Sequence, residues 1–413
     1  MQKEWKIGDE MKLLKADKAV KSALPKAFDQ EAARNARKFH SSLSVYHKTP
    51  LIELCTLAKQ LGIKDIFVKD ESRRFSLNAF KGLGGSYAMF RILCRRFGLS
   101  PEKTDMAQFA SPELREQVSR IEFVTATDGN HGRGVSWAAK QFGCKAHVYM
   151  PKGSQEVRAE AIRRAGDAEV EITDLSYDDT VRYAKEQSEK HGWILIQDTA
   201  WDGYEEIPTW IIEGYLTMAS EISDEFDKRK IIPTHVFLQA GVGAMAGGVL
   251  AYLRNCYGEQ FKAIIVEPNA ADCIYESARQ ADGKAHTVEG SPVTIMAGLN
   301  CGTPCKVTWS VLRDYADYYI SCADPVAAYG MRRYASPCGA DAGIVSGESG
   351  AATFGAMLTL LECDRNTEFR QELGIDASSI ILLISTEGNT DPENYRNIVE
   401  NGTYPFDVKK CSD

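Results

Sequence analysis

The sequence predicts an α/β protein built on parallel sheets, and three observations carry that prediction. Short apolar runs rich in Val and Ile recur along the chain, amphipathic stretches separate them, and Gly or Pro follows each of the later runs. Continuous apolar runs suit strands covered on both faces, as parallel sheets require. Their alternation with helical stretches spells βαβ units.

Taken in order, residues 1 to about 45 are polar without a strong strand pattern and predict an arm or a few helices. Ile66-Phe67-Val68 predicts a strand and residues 80–97 a helix. Phe123-Val124-Thr125 leads into a helix near His131. Residues 146–150 predict a strand and 156–164 the helix after it. Val170-Glu171-Ile172 and Ile194-Leu195-Ile196 bracket a helix over 178–190. Val236-Phe237-Leu238, residues 263–266 and residues 380–384 are the later strands. In open parallel sheets ligands gather beyond the carboxyl ends of the strands, so chemistry is sought in the loops there.

A chain of 413 residues is long for one core, and two or three domains are expected. Its 49 Lys+Arg against 57 Asp+Glu leave a net charge of -8, which weighs against nucleic acid as a partner. The charged N-terminus lacks the apolar core of a signal peptide. Residues 236–253 carry no charge, but their glycine cluster and Gln239 read as a strand, a loop and a buried helix rather than a membrane span. The 11 cysteines are scattered, so reduced thiols in a cytoplasm are expected. Cys273 could still pair with Cys301 or Cys305 through the fold. No His or Cys pair beside the CxxxC of Cys301 and Cys305 suggests zinc, and no metal is expected.

Three loops could hold one ligand. In Ser76-Leu77-Asn78-Ala79-Phe80-Lys81-Gly82 a lysine sits between a phenylalanine and a glycine-rich helix start. Desolvation favours its neutral amine, which can attack an aldehyde, although a surface lysine lying along an exposed helix turn would give the same string. Gln239-Ala240-Gly241-Val242-Gly243-Ala244-Met245 follows a strand, and its backbone N–H groups with the helix dipole behind them favour phosphate. Gly241, Gly243 and Ala246 also approximate a dinucleotide fingerprint, and plain helix–sheet packing is a third reading. Thr125-Ala126-Thr127-Asp128-Gly129-Asn130-His131-Gly132 offers donors for a carboxylate or phenolate, or a helix start capped by Thr127 or Asp128.

The order of these loops resembles the tryptophan synthase β / threonine deaminase group of pyridoxal-phosphate enzymes, called fold type II. The resemblance runs from Thr49-Pro50-Leu51 to Ser385 and Asp391-Pro392. It implies two parallel-sheet α/β domains with pyridoxal 5'-phosphate in the cleft between them. Residues 46–85 and 200–413 would form the large domain, 86–199 a small mobile domain, and 1–45 an N-terminal arm on a partner subunit of a homodimer. Lys81 would carry the cofactor as an imine, and Asn130 would donate to its phenolic oxygen. Gly241, Val242, Gly243, Ala244 and Met245 would wrap the phosphate, and Ser385 would bond the ring nitrogen. Ser349-Gly350-Ala351 resembles a further helix start beside the cofactor.

Asp128 departs from most of the group, whose residue before Gly-Asn-His is small or a hydroxyl. Ala-Thr-Asp-Gly-Asn-His-Gly-Arg-Gly, with Asn-Ala-Phe-Lys-Gly-Leu-Gly-Gly before it, resembles the diaminopropionate ammonia-lyase family. Its members convert D- and L-2,3-diaminopropionate to pyruvate and two ammonia. The resemblance implies a base for each isomer: Lys81 for L and Asp128 for D. Thr127, Asp128 and Asp198 are the candidate substrate contacts, with Asp198 holding the substrate's ammonium or merely capping a turn. His131 either orients Asp128 or satisfies the helix start. A serine/threonine dehydratase of the same group is the nearest alternative, and a nucleotide-binding oxidoreductase a more distant one.

Overall fold

The structure is a computed structural model that describes residues 3–17, 21–127, 129–288, 290, 293–363 and 367–408. Asp128 lies outside the described residues. The first eight strands are β1 Glu4–Ile7, β2 Met11–Lys15, β3 Leu51–Glu53, β4 Asp65–Asp70, β5 Glu122–Ala126, β6 Lys145–Met150, β7 Glu169–Ile172 and β8 Ile194–Leu195. Four more follow: β9 His235–Gln239, β10 Lys262–Pro268, β11 Tyr318–Cys322 and β12 Ile380–Ser385.

The chain forms two compact units. One comprises Met1–Pro25, Thr49–Arg73 and Glu221–Asp413, the other Lys26–Lys48 and Arg74–Ser220. The first holds an eight-stranded sheet in the order β1-β2-β11-β10-β9-β12-β4-β3. Its inner strands run parallel, and antiparallel β2 and β3 flank them. Successive strands β9, β10 and β11 step toward one edge, whereas β12 returns on the other side of β9. The loops after β9 and β12 therefore diverge from neighbouring strands, the topological switch point where open α/β sheets place ligands. All five residues of β9 and all six of β12 are buried, as their unbroken apolar runs require.

The second unit holds a four-stranded parallel sheet, β7-β6-β5-β8. Two of its helices are α1, Lys81–Arg96, and α2, Asn130–Phe142. A Cβ at Gly134 would lie 2.9 Å from the Lys81 carbonyl carbon and oxygen. A bare backbone there lets the start of α1 come against α2, so the glycines of this region serve close packing.

The α/β class and the parallel sheets match the sequence expectation. The unit boundaries differ from 1–45, 46–85 with 200–413, and 86–199. Residues 4–15 form a hairpin added to the large sheet, with Leu13 opposite Ile320 on β11. The helix Gln30–Ser41 belongs to the second unit, where Phe39 stacks on Phe90 at 4.3 Å. No disulfide forms among the described residues; Cys273, Cys301 and Cys305 are thiols. Among the described residues no helix is long and apolar enough to cross a membrane, and no cluster of metal-ligating side chains occurs.

Candidate active site

In the second unit, Lys81 is the first residue of α1 and is reached through a turn in which Phe75, Ser76 and Asn78 hold φ of 51°, 58° and 54°. Left-handed backbone in such residues costs about 1–3 kcal/mol each and persists only where surrounding packing enforces it. Part of that enforcement is the Phe75 ring, stacked on Trp137 of α2 at 4.4 Å. Lys81 Nζ donates to Asp198 Oδ2 at 2.6 Å, and it lies 5.6 Å from the Phe80 ring centroid and 6.0 Å from that of Tyr215. Both partners of the ion pair are largely shielded, with side-chain exposures of 20% and 14%.

Asp198 reaches this lysine because β8 pairs with β5, so the segment after β8 and the loop after β5 leave the same edge of the sheet. Gln197 ties them: its Oε1 accepts from the Ala126 N–H at 3.1 Å and from Thr125 Oγ1 at 3.2 Å. His131 Nε2 bonds the Ile196 carbonyl at 3.0 Å, while its Nδ1 lies 3.6 Å from Asp198 Oδ2. Burial pushes the His131 imidazole down, toward its neutral form. Burial alone would raise the Asp198 carboxyl, but the charges of His131 and Lys81 outweigh it and hold the group at about 2. The ammonium of Lys81 is the cation hydrogen-bonded directly to this carboxylate.

Thr127 Oγ1 accepts from the N–H groups of Gly129 and Gly132 at 3.0 and 3.1 Å. Its hydroxyl therefore caps the start of α2 through its lone pairs. Asn130 is the first residue of α2, and its Oδ1 accepts from Arg133 at 2.8 Å, which leaves the amide's NH₂ as its donor end. His131 serves the segment before Asp198 through Ile196.

In the first unit, residues 240–243 join β9 to the helix α3, Ala244–Tyr257. Gly247 N–H donating to Gly243 is an early bond of that helix, so the N–H groups just upstream are those a helix start leaves without intrahelical partners. Gly243 adopts φ 84°, which turns the chain into the helix, and a Cβ on Gly241 would lie 3.1 Å from Leu299 Cα. Successive N–H groups at the positive end of a 14-residue helix are donors suited to a phosphate. On the neighbouring strand Ser385 is fully buried and its Oγ donates to Ser346 Oγ at 2.8 Å.

Two residues escaped the sequence reading as site components. Gln239 Nε2 donates to the carbonyls of Ile384 and Ser349 and to Thr386 Oγ1, which fixes the phosphate-type loop to the loop after β12. Its Oε1 is buried with no hydrogen-bond partner among the described residues. Ser346 is the second; the repeated Ser-Gly of Ser346-Gly347-Glu348-Ser349-Gly350 was the available signal.

Residues 43–375 match the family model of pyridoxal-phosphate dependent enzymes. The chain belongs to that family, and pyridoxal phosphate is its cofactor. Within the family it belongs with the diaminopropionate ammonia-lyases. It is 47% identical to diaminopropionate ammonia-lyase from Escherichia coli (strain K12) over 379 residues, covering 91% of this chain and 93% of the relative. It is also similar to the crystal structure of the Escherichia coli enzyme with an aminoacrylate-PLP azomethine reaction intermediate. The TM-score is 0.88 at 44% identity, over 96% of this chain and 98% of the other. A structure of that enzyme with D-serine matches with TM-score 0.88 at 43% identity, over 96% and 99% of the two chains. Membership leaves no place for the nucleotide-binding oxidoreductase.

Proposed function

We propose that this carbon–nitrogen lyase takes both isomers of 2,3-diaminopropionate to pyruvate and two ammonia. The observation that carries the reading is the ion pair of Lys81 with Asp198, in a chain that belongs with the diaminopropionate ammonia-lyases. When bound, pyridoxal phosphate supplies the sink for the electrons released at the substrate Cα. The N–H groups of Gly241, Val242, Gly243, Ala244 and Met245 hold its phosphate, Asn130 donates to its phenolic oxygen and Ser385 to its ring nitrogen.

Lys81 takes the Cα proton of the L isomer and Asp128 that of the D isomer. The β-amine then leaves as ammonia, and one water completes hydrolysis to pyruvate and the second ammonia. Beside the Lys81 ammonium, Asp198 is anionic, its carboxyl held at about 2. Once the Lys81 amine is engaged by cofactor, the same carboxylate is left to bind a substrate ammonium. A hydroxyl in that place forms a weaker bond, which selects a diamino acid over serine or threonine. We further propose a cytoplasmic homodimer with a small-molecule amino acid as its only substrate class.

The experiment is pyruvate release from D- and L-diaminopropionate beside serine and threonine, with wild type and Asp128→Asn. Wild type should turn over both diaminopropionate isomers faster than either hydroxy amino acid. Asp128→Asn should lose D activity by about 10²-fold while retaining more L activity. Equal loss on both isomers rejects the two-base assignment, and faster turnover of serine or threonine rejects the substrate.

A further inference from the structure

The first unit contains a short hydroxyl chain that the proposed reaction has not yet used. Ser385 Oγ donates to Ser346 Oγ at 2.8 Å, and Ser346 Oγ donates onward to the Gly347 carbonyl at 3.3 Å. Both serines are fully buried. Ser346 is closely packed: a Cβ on Gly350 would come within 2.6 Å of its oxygen. The Gly347 carbonyl does not depend on Ser346, since it also accepts from the Ala351 N–H at 2.9 Å.

A hydroxyl has one proton to give and two lone pairs. As the chain stands, Ser385 gives its proton to Ser346, with the Glu387 carbonyl a more distant acceptor at 3.4 Å. For Ser385 to donate to an unprotonated ring nitrogen, that bond must reverse. Ser346 can reverse it by rotating its own proton from the long bond to Gly347 onto Ser385, with no heavy atom moving. Ser385 then accepts from Ser346 while it donates to the nitrogen, and each bond polarises the next.

We propose that Ser346 is a positioning residue that turns Ser385 into a hydrogen-bond donor toward the pyridine nitrogen. The proposal rests on the reading that Ser385 meets that nitrogen. It involves no covalent step; one proton rotates about the Cβ–Oγ bond of Ser346.

The test reconstitutes the protein with pyridoxal phosphate labelled with ¹⁵N in the ring. The ring-nitrogen NMR signal and the cofactor dissociation constant are read for wild type, Ser385→Ala, Ser346→Ala and the near-isosteric weak donor Ser346→Cys. Ser385→Ala should move the signal toward that of an unprotonated pyridine without a hydrogen bond. Ser346→Ala should move it part of the way in the same direction and raise the dissociation constant about three- to tenfold, the weight of one neutral hydrogen bond. Ser346→Cys should fall between wild type and Ser346→Ala, which answers the question if the alanine variant fails to fold. A signal that moves in Ser385→Ala but stays fixed, or shifts the opposite way, in both Ser346 variants overturns the relay. A signal unmoved in Ser385→Ala overturns instead the placement of Ser385 at the nitrogen.

Discussion

Lys81 Nζ sits 2.6 Å from Asp198 Oδ2, so the lysine proposed to carry the cofactor is paired with a carboxylate 117 residues further along the chain. The native carboxyl titrates at about 2 against 3.8 for the ordinary group. A depressed acid contributes stability that is fully present above the unfolded value and is lost as pH falls through the native one. The window is therefore about pH 4 down to pH 2, and the contribution is roughly 2 kcal/mol. In urea denaturation of the cofactor-free protein, Asp198→Asn should be less stable than wild type at pH 5, and the gap should close toward pH 2. A gap independent of pH would contradict the pairing.

The same variant tests selectivity. An ionised acceptor strengthens a hydrogen bond to about 1.5–3 kcal/mol, so its loss should lower kcat/KM for diaminopropionate relative to serine by roughly ten- to a hundredfold. An unchanged ratio in parallel steady-state assays would remove Asp198 from substrate recognition.

Gly243 combines φ 84° with a position where a Cβ would meet Leu312 Cδ1 at 2.5 Å. Gly243→Ala should cost about 1–2 kcal/mol for the left-handed backbone alone. It should also weaken pyridoxal phosphate binding, because the donors of the loop turn with it. Thermal unfolding and cofactor titration read the two effects separately, and a variant as tight in binding as wild type would mean that this loop does not grip the phosphate.

Glu348 gives a pH effect of opposite sign. Burial, aided by the charge of Glu387, pushes its carboxyl up to about 7, while Asn394 Nδ2 donates to its Oε1. The unfolded chain releases this proton from about pH 4.5 and the native chain only near 7, so the folded state loses stability as pH rises between them. Glu348→Gln keeps the acceptor for Asn394 and removes the titration. Its melting temperature should exceed that of wild type at pH 8 and match it at pH 4; equal curves at both would contradict the assignment.

Much of the candidate site was legible because its signals are local. Lys81 at a helix start, Asn130 at a second and Gly243 before a third each lie in a short string of residue types suited to the proposed ligand. Ser346 and Gln239 were not legible as partners, since their roles depend on contacts 39 and 145–147 residues away. Thr127 was legible as a cap or a substrate contact, and its bonds to Gly129 and Gly132 show the cap. The fold shows the same division. Buried strands such as β9 and β12 announce themselves by composition. The hairpin of β1 and β2 does not, because Glu4-Trp5-Lys6-Ile7 and Met11-Lys12-Leu13-Leu14-Lys15 owe their conformation to pairing with each other and with β11.

The most direct measurement is borohydride reduction of purified active protein followed by peptide mass mapping. Lys81 should carry a pyridoxyl phosphate group, and Lys81→Ala should show neither that modification nor the imine absorption. An unmodified Lys81 in protein that still releases pyruvate from diaminopropionate would contradict the account at its centre.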